Sequence, residues 1–299
     1  MIIFANLDQE ARWSGLGVPA HVARRLAELS PLLRALAPAG EDVSIVTERP
    51  ARWDLAWADP GAKVVNDRRF ALAVARELGC ALAGARAIDS LDGVEWPARW
   101  VCKAAWSAAG RDRLLGAGAP SGPLRARVAS LVARAGGAVV EPWLDRLSAP
   151  PDGGVARPDE AGPFERITDF GACGTVDATG AIIAHPPHVL VVNARGGFRG
   201  IERRAPAREP HERAELERGF AGAGAALARA GYAGPFGIDG FVYRDPAGRR
   251  ALHAMCEINA RYTFGHVAHA LGCAVLGFGA PVPTEARVLV APVTAWATS

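Results

Sequence analysis

The run "FGIDGFVYRDPAGRRALHAMCEINARY", Phe236 to Tyr262, holds two strand-like segments around a turn made of Asp, Pro and Gly. Such a pattern folds back as a hairpin. Centring the turn near Gly248 pairs Tyr243 with His253, Phe241 with Met255 and Asp239 with Glu257. Strand side chains alternate with period two, so Glu257, Asn259 and Arg261 project to one side, and Asp239 meets Glu257 at roughly 5 Å between Cβ atoms. The other side carries Val242, Leu252, Ala254, Cys256 and Ile258, an apolar set that packs on a core. The polar side is either solvent or a site. A one-residue slip in register would part the two carboxylates.

Carboxylates that close repel and raise each other's pKa unless a cation lies between them. Hard oxygen donors of this kind suit Mg²⁺ or Mn²⁺ held together with substrate phosphates. The competing reading is a solvated hairpin face whose charges keep the strand soluble.

The rest of the chain narrows the class. Its 299 residues, 50% of them hydrophobic, allow two or three lobes with a substantial core. A balance of 34 basic against 31 acidic residues, net +3, carries no electrostatic footprint for nucleic acid. Five widely spaced cysteines without a CxxC pair suggest neither a disulfide framework nor a zinc knuckle. The N-terminus lacks a basic-then-apolar signal pattern, and no run of 18 apolar residues occurs. A cytoplasmic, soluble protein is expected, with no membrane association.

The expected fold class is α/β and α+β. Residues 1–65 alternate strand ("MIIFAN"), helix, strand ("DVSIVT") and a second short apolar stretch ending in "AKVVND", an N-terminal α/β lobe with a partly parallel sheet. Residues 66–145 form an α+β unit: a helix capped at Asn66 or Asp67 and stopped at Gly79, a strand "WVCKA", a helix over 123–135 ending at Gly136-Gly137, and a strand "AVVEPWL". After a Pro/Gly/Asp-rich connector, residues 146–299 hold a hairpin turning at Asp177 to Gly180, a helix from Pro210 to Gly231, the Asp239/Glu257 hairpin and a last helix beginning at "TFGHVAHA". The terminal twenty residues carry little signal.

This arrangement resembles the ATP-grasp ligases, whose final motif looks like "GIDGFVYRD…LHAMCEINARYTFG": an Asp on one strand, then Glu-x-Asn and often Arg on the next. The resemblance covers roughly residues 60 to 275 and implies an ATP-grasp fold, a small N-terminal lobe plus two α+β subdomains clasping ATP. It places Mg²⁺ (or Mn²⁺) on Asp239, Glu257 and Asn259, and sets Arg261 and Lys103 at the transferred phosphoryl group. Lys103, followed by a small-residue loop with Ser107 and Gly110, resembles the strand-lysine and lid. "VVEPWLDR" resembles the hinge that receives adenine, with Glu141, Trp143 and Leu144 offering mostly backbone edges and Asp145 reaching ribose. Arg68 stands where the family often keeps a basic residue for phosphates.

The implied reaction is ADP-forming ligation of a carboxylate, activated as an acyl phosphate, to an amine. Alternatives are a small-molecule kinase on the same scaffold and a nucleotide-binding regulatory module without chemistry. Arg195 and Arg199, in "VVNARGGFRG", present planar donors for an anionic acyl substrate, beside Arg261. Expected partners are small-molecule acid and amine substrates, with no nucleic acid, no membrane, and a homodimer left open. Cys173 reads as structural. His185 and His188 flank a Pro-Pro with no ligand-like spacing to other histidines, while His266 and His269, at i and i+3 on the last helix, could bind metal, although a shared helix face beside the site is enough to explain them.

Overall fold

Alternation in two sheets positions the site. A computed structural model of the chain describes residues 2–4, 20–37, 40–42, 44–46, 60–107, 112–146, 165–192, 198–207, 209–245, 247–278 and 288–292. Near the N-terminus, β1 (Ile2–Phe4) pairs in parallel with β2 (Ser44–Val46), flanking α1 (Ala20–Leu29) and a 3-10 segment (Ser30–Leu36). The apolar stretch before Asn66 is not extended: Pro60–Val65 forms a short helix, α2. Proline at its start needs no N–H partner there, and Ala62 and Val65 bury on one side at helical spacing.

Next comes α3 (Arg68–Glu77), capped by the Asp67 carboxylate, which accepts from the Arg69 N–H at 2.8 Å. It leads into an antiparallel sheet of order β3-β6-β4-β5, with β3 Arg86–Ile88, β4 Arg99–Ala104, β5 Arg113–Ala117 and β6 Ala138–Pro142. Between β5 and β6 runs α4 (Gly122–Ala135), closed by Gly136 at φ 61°. Trp100, Cys102 and Ala104 of β4, with Ala138 and Val140 of β6, pack on Val128, Leu131 and Val132 of α4. Period two then sends Val101, Lys103 and Glu141 to the opposite face.

The large sheet has the order β13-β12-β8-β10-β11-β14-β15. Its spine is the 12-residue strand β8 (Glu165–Val176), flanked by β7 (Asp145–Arg146), β9 (Ile182–Ala184) and β10 (His188–Val192) on one edge. β11 (Phe198–Glu202) continues that side, and α5 (Pro210–Arg229) follows. On the other edge of β8 lie β12 (Gly234–Arg244) and then β13 (Arg250–Asn259). Short α6 (Phe264–Ala270) precedes β14 (Cys273–Phe278) and β15 (Val288–Pro292), so the last helix stops after seven residues and the weak-signal terminus still contributes a strand. α5 lays Leu216, Phe220, Ala223 and Leu227 on Phe236, Ile238, Leu252 and Ala254. Phe220 and Phe236 stack at 4.7 Å, and burying each ring stabilises the fold by about 2 kcal/mol. Arg250 pairs with the fully buried Glu212 of α5, fixing the helix on the sheet.

Asp239 does face Glu257, but the expected register nearer the turn is corrected: Phe241 opposes His253 and Tyr243 opposes Ala251. A bulge makes up the difference, setting residues 254–256 of β13 against Gly240 alone. Gly240 permits it, since a Cβ there would lie 2.5 Å from the His253 carbonyl and 2.8 Å from that of Ala254. The bulge breaks alternation, and Cys256, expected in the core, instead lines the cavity beside Glu257.

Among the described residues, no helix is long and apolar enough to cross a membrane.

Candidate active site

The polar faces of the two sheets look into one cavity of about 270 Å³. Arg68, Lys103, Ser107, Glu141, Trp143, Leu144, Asp239, Glu257, Asn259 and Arg261 all line it. The polar side of the hairpin is therefore a cavity wall and not a solvated face.

On the large sheet, Asn259 donates to Asp239 Oδ2 at 3.3 Å, and Arg261 donates to Asn259 Oδ1 at 3.0 Å. Burial, then the facing Glu257 carboxylate, pushes Asp239 up to about 7, against the opposing pull of Arg261 and the Asn259 hydrogen bond. A third carboxylate shares this wall. Asp169, buried on β8, opposes Phe241 and lies two residues from Gly171, the partner of Asp239. Its charge adds to the rise at Asp239. Sequence reasoning missed Asp169, although an acid within the otherwise apolar "ITDFGACG" run was a usable signal.

On the small sheet, Lys103 Nζ pairs with Glu141 Oε2 at 2.5 Å. Burial alone would raise the Glu141 carboxyl, but Lys103, with help from His253 and Arg68, holds it below the ordinary range. Glu141 thus offers its side chain as well as its backbone to the cavity. Trp143 stands with its indole 6.0 Å from the Arg113 guanidinium, and its backbone N–H donates to the Arg99 carbonyl at 2.9 Å. Leu144 is buried against the cavity. Asp145 lies on β7 in register with Glu165.

Arg68 departs from an exposed first-turn base. It is 6% exposed and bridges the two sheets, donating to the Ala104 carbonyl at 2.9 Å, Ser107 Oγ at 2.7 Å, the Ser107 carbonyl at 2.9 Å and Glu257 Oε1 at 3.0 Å. Ser107, 2% exposed, is held by Arg68 through both its hydroxyl and its carbonyl. Gly110 and Arg195 lie outside the described residues, and of Arg199 only its backbone position on β11 is described.

Neither a family profile nor a curated protein sequence matches the chain. Solved structures do. Biotin carboxylase from Campylobacter jejuni, in a β,γ-ATP complex, aligns with TM-score 0.50 at 15% identity over 71% of this chain and 44% of its own. Rhizobium etli pyruvate carboxylase aligns with TM-score 0.50 at 13% identity over 90% of this chain and 21% of its own. D-cycloserine synthetase aligns with TM-score 0.46 at 15% identity, over 82% of this chain and 93% of its own. The chain spans less than half the length of the two carboxylases. The fold is that of the ATP-grasp proteins.

Proposed function

We propose that the chain is an ADP-forming ligase that activates a small-molecule carboxylate with ATP as an acyl phosphate and joins it to an amine. One observation carries the reading: the Asp239–Glu257–Asn259 ladder and the Lys103–Glu141 pair line opposite walls of one cavity. The donor set fits a hard dication. Two opposed carboxylates, one of which keeps its proton to about pH 7, are stabilised together by Mg²⁺ or Mn²⁺. When bound, that ion supplies neutralisation of the nucleotide phosphates.

The chain's own groups do the rest. Arg68 orients Glu257 from behind, and Lys103 donates to phosphate oxygens from the small sheet. Trp143 and Leu144 form the wall for the base, with Asp145 near the ribose. Arg261, tethered through Asn259, directs its charge to the reacting phosphoryl group, and Arg195 and Arg199 hold the acid. A carboxylate oxygen of the substrate bonds to the γ-phosphorus as ADP leaves; the amine then bonds to the acyl carbon as phosphate leaves. Positioning and charge neutralisation suffice for both steps. Small-molecule acid and amine partners, with no nucleic acid or membrane, and a cytoplasmic setting belong to this reading.

A coupled ADP-release screen of carboxylates against amines, with Glu257→Gln as the blank, tests it. Amine-dependent, Glu257-dependent ADP release is expected. ADP release independent of amine, with a phosphorylated acid as the final product, would assign a kinase instead; magnesium-dependent ATP binding without turnover across the panel would overturn the enzyme altogether.

A further inference from the structure

Next to the carboxylate ladder, the fold gathers four histidines and a cysteine that the sequence scatters over 97 positions, from Cys173 to His269. Hydrogen bonding sorts them. His266 uses both ring nitrogens: Nε2–H donates to the Gly174 carbonyl at 2.9 Å, and Nδ1 accepts from the Thr263 N–H at 3.0 Å. It is a strut holding the start of α6 to β8. His269 donates from Nε2 to the Pro186 carbonyl at 2.9 Å, because a carbonyl can only accept. That leaves Nδ1 of the neutral ring with its lone pair, as in a ligating imidazole oriented from its far side.

His188 is 2% exposed, and its Nδ1 is buried without a hydrogen-bond partner. Cys173 is 1% exposed. One donor atom from each of Cys173, His188 and His269 lies within 4.8 Å of the other two. Gly265 keeps this space clear, since a Cβ there would come 2.4 Å from His188 Cε1 and 3.0 Å from Cys173 Sγ. His185 stacks on His269 at 4.9 Å with rings 14° apart, and so steadies that ring.

We propose that Cys173, His188 and His269 bind a borderline transition-metal dication, for which Zn²⁺ is the best fit, at a centre separate from the oxygen donors Asp239 and Glu257. A thiolate and two imidazoles select such an ion over Mg²⁺. Zn–N and Zn–S bonds of about 2.0 and 2.3 Å place tetrahedral donors ~3.3–3.8 Å apart, so the three draw together by roughly 1 Å on binding. Burial keeps the imidazoles neutral, with His188 lowered to about 3 and His269 to about 4. The Cys173 thiol, pushed by burial up to about 12, gives its proton to solvent as the metal–sulfur bond forms. Its negative charge then offsets Arg203, whose guanidinium helps depress both histidines. Three protein ligands leave one tetrahedral position for water or a substrate group. His188 itself also lines the main cavity.

The proposal goes beyond the ligase reading and stands without it. The test is titration of the metal-stripped full chain with Co²⁺, without nucleotide or Mg²⁺, followed by displacement with Zn²⁺. One bound Co²⁺ is expected, with a thiolate charge-transfer band and tetrahedral d–d bands. Cys173→Ser abolishes the charge-transfer band, and His269→Gln, at a partly exposed position, weakens Zn²⁺ binding at least ~100-fold. His211→Gln, exposed on α5, leaves binding unchanged. Absence of a thiolate band in the wild-type chain, or its persistence in Cys173→Ser, overturns the proposal. Mg²⁺-ATP binding and its loss in Glu257→Gln are read separately, so this centre and the ligase reading fail independently.

Discussion

Asp239 and Glu257 stand directly opposite each other on adjacent strands, with Asn259 bonded to the first and Arg68 to the second. Burial and the facing Glu257 charge favour a proton on Asp239. In the metal-free protein, Asp239 contributes stability that is full below its ordinary pKa of 3.8 and is lost as pH rises through about 7. Melting curves of wild type and Asp239→Asn are therefore expected to converge at acidic pH and to favour the variant above neutrality.

The same proton opposes a cation. Mg²⁺-ATP affinity is expected to fall about tenfold per pH unit below the Asp239 pKa, since each binding event must displace one proton. Calorimetry across that range checks the slope, and a flat profile would contradict an acid-pair metal site.

Lys103 and Glu141 form the counterpart on the small sheet. Lys103→Met leaves the buried Glu141 carboxylate unpaired, and a loss of about 3 kcal/mol is expected. Glu141→Gln is expected to cost less and to remove the acid-side instability, because stability from a depressed carboxyl is present above its ordinary pKa and lost as pH falls through the folded value. Denaturant curves of both variants at neutral and acidic pH test the asymmetry.

Arg68→Lys keeps the charge but not the fork that reaches Ala104, Ser107 and Glu257 together. Nucleotide affinity is expected to drop about tenfold or more with little change in secondary structure. An unaltered affinity would mean that the sheet-to-sheet bridge does not position Glu257.

Gly240→Ala drives a methyl into the His253 and Ala254 carbonyls and the Phe170 ring. A loss of roughly 2 kcal/mol is expected, together with faster exchange of the β12–β13 amides.

Much of the scaffold was legible because local signals agreed: Asp67 as a cap, Gly136 as a stop, period two in "WVCKA", and an Asx-rich turn at Asp177. The Asp239–Glu257 pairing was legible too, but through offsetting errors. The turn sits two residues tighter than a simple count from Gly248 suggests, and the bulge at Gly240 restores the pairing. A bulge is decided by what crowds Gly240, and that is the Phe170 ring of β8 as well as the His253 and Ala254 carbonyls of the hairpin. The bridging contacts of Arg68 were not legible for a related reason. Its partners Ser107 and Glu257 are 39 and 189 residues away, so nothing local distinguishes it from Arg69. The histidines were judged by spacing along the chain, whereas β10 and α6 bring His188 and His269 together where both pack against β8.

Gly171 lies opposite Asp239 on one edge of β8 and opposite His188 on the other. Asp169, Gly171 and Cys173 follow one another on the same face of that strand, so β8 serves as a common ruler for the oxygen-rich end of the cavity and the sulfur end. A one-residue insertion upstream in β8 would turn all three away together, while one in β10 would displace only the histidine. The register of β8 is therefore shared by both ends of the cavity, whereas that of β10 governs the histidine at the sulfur end alone.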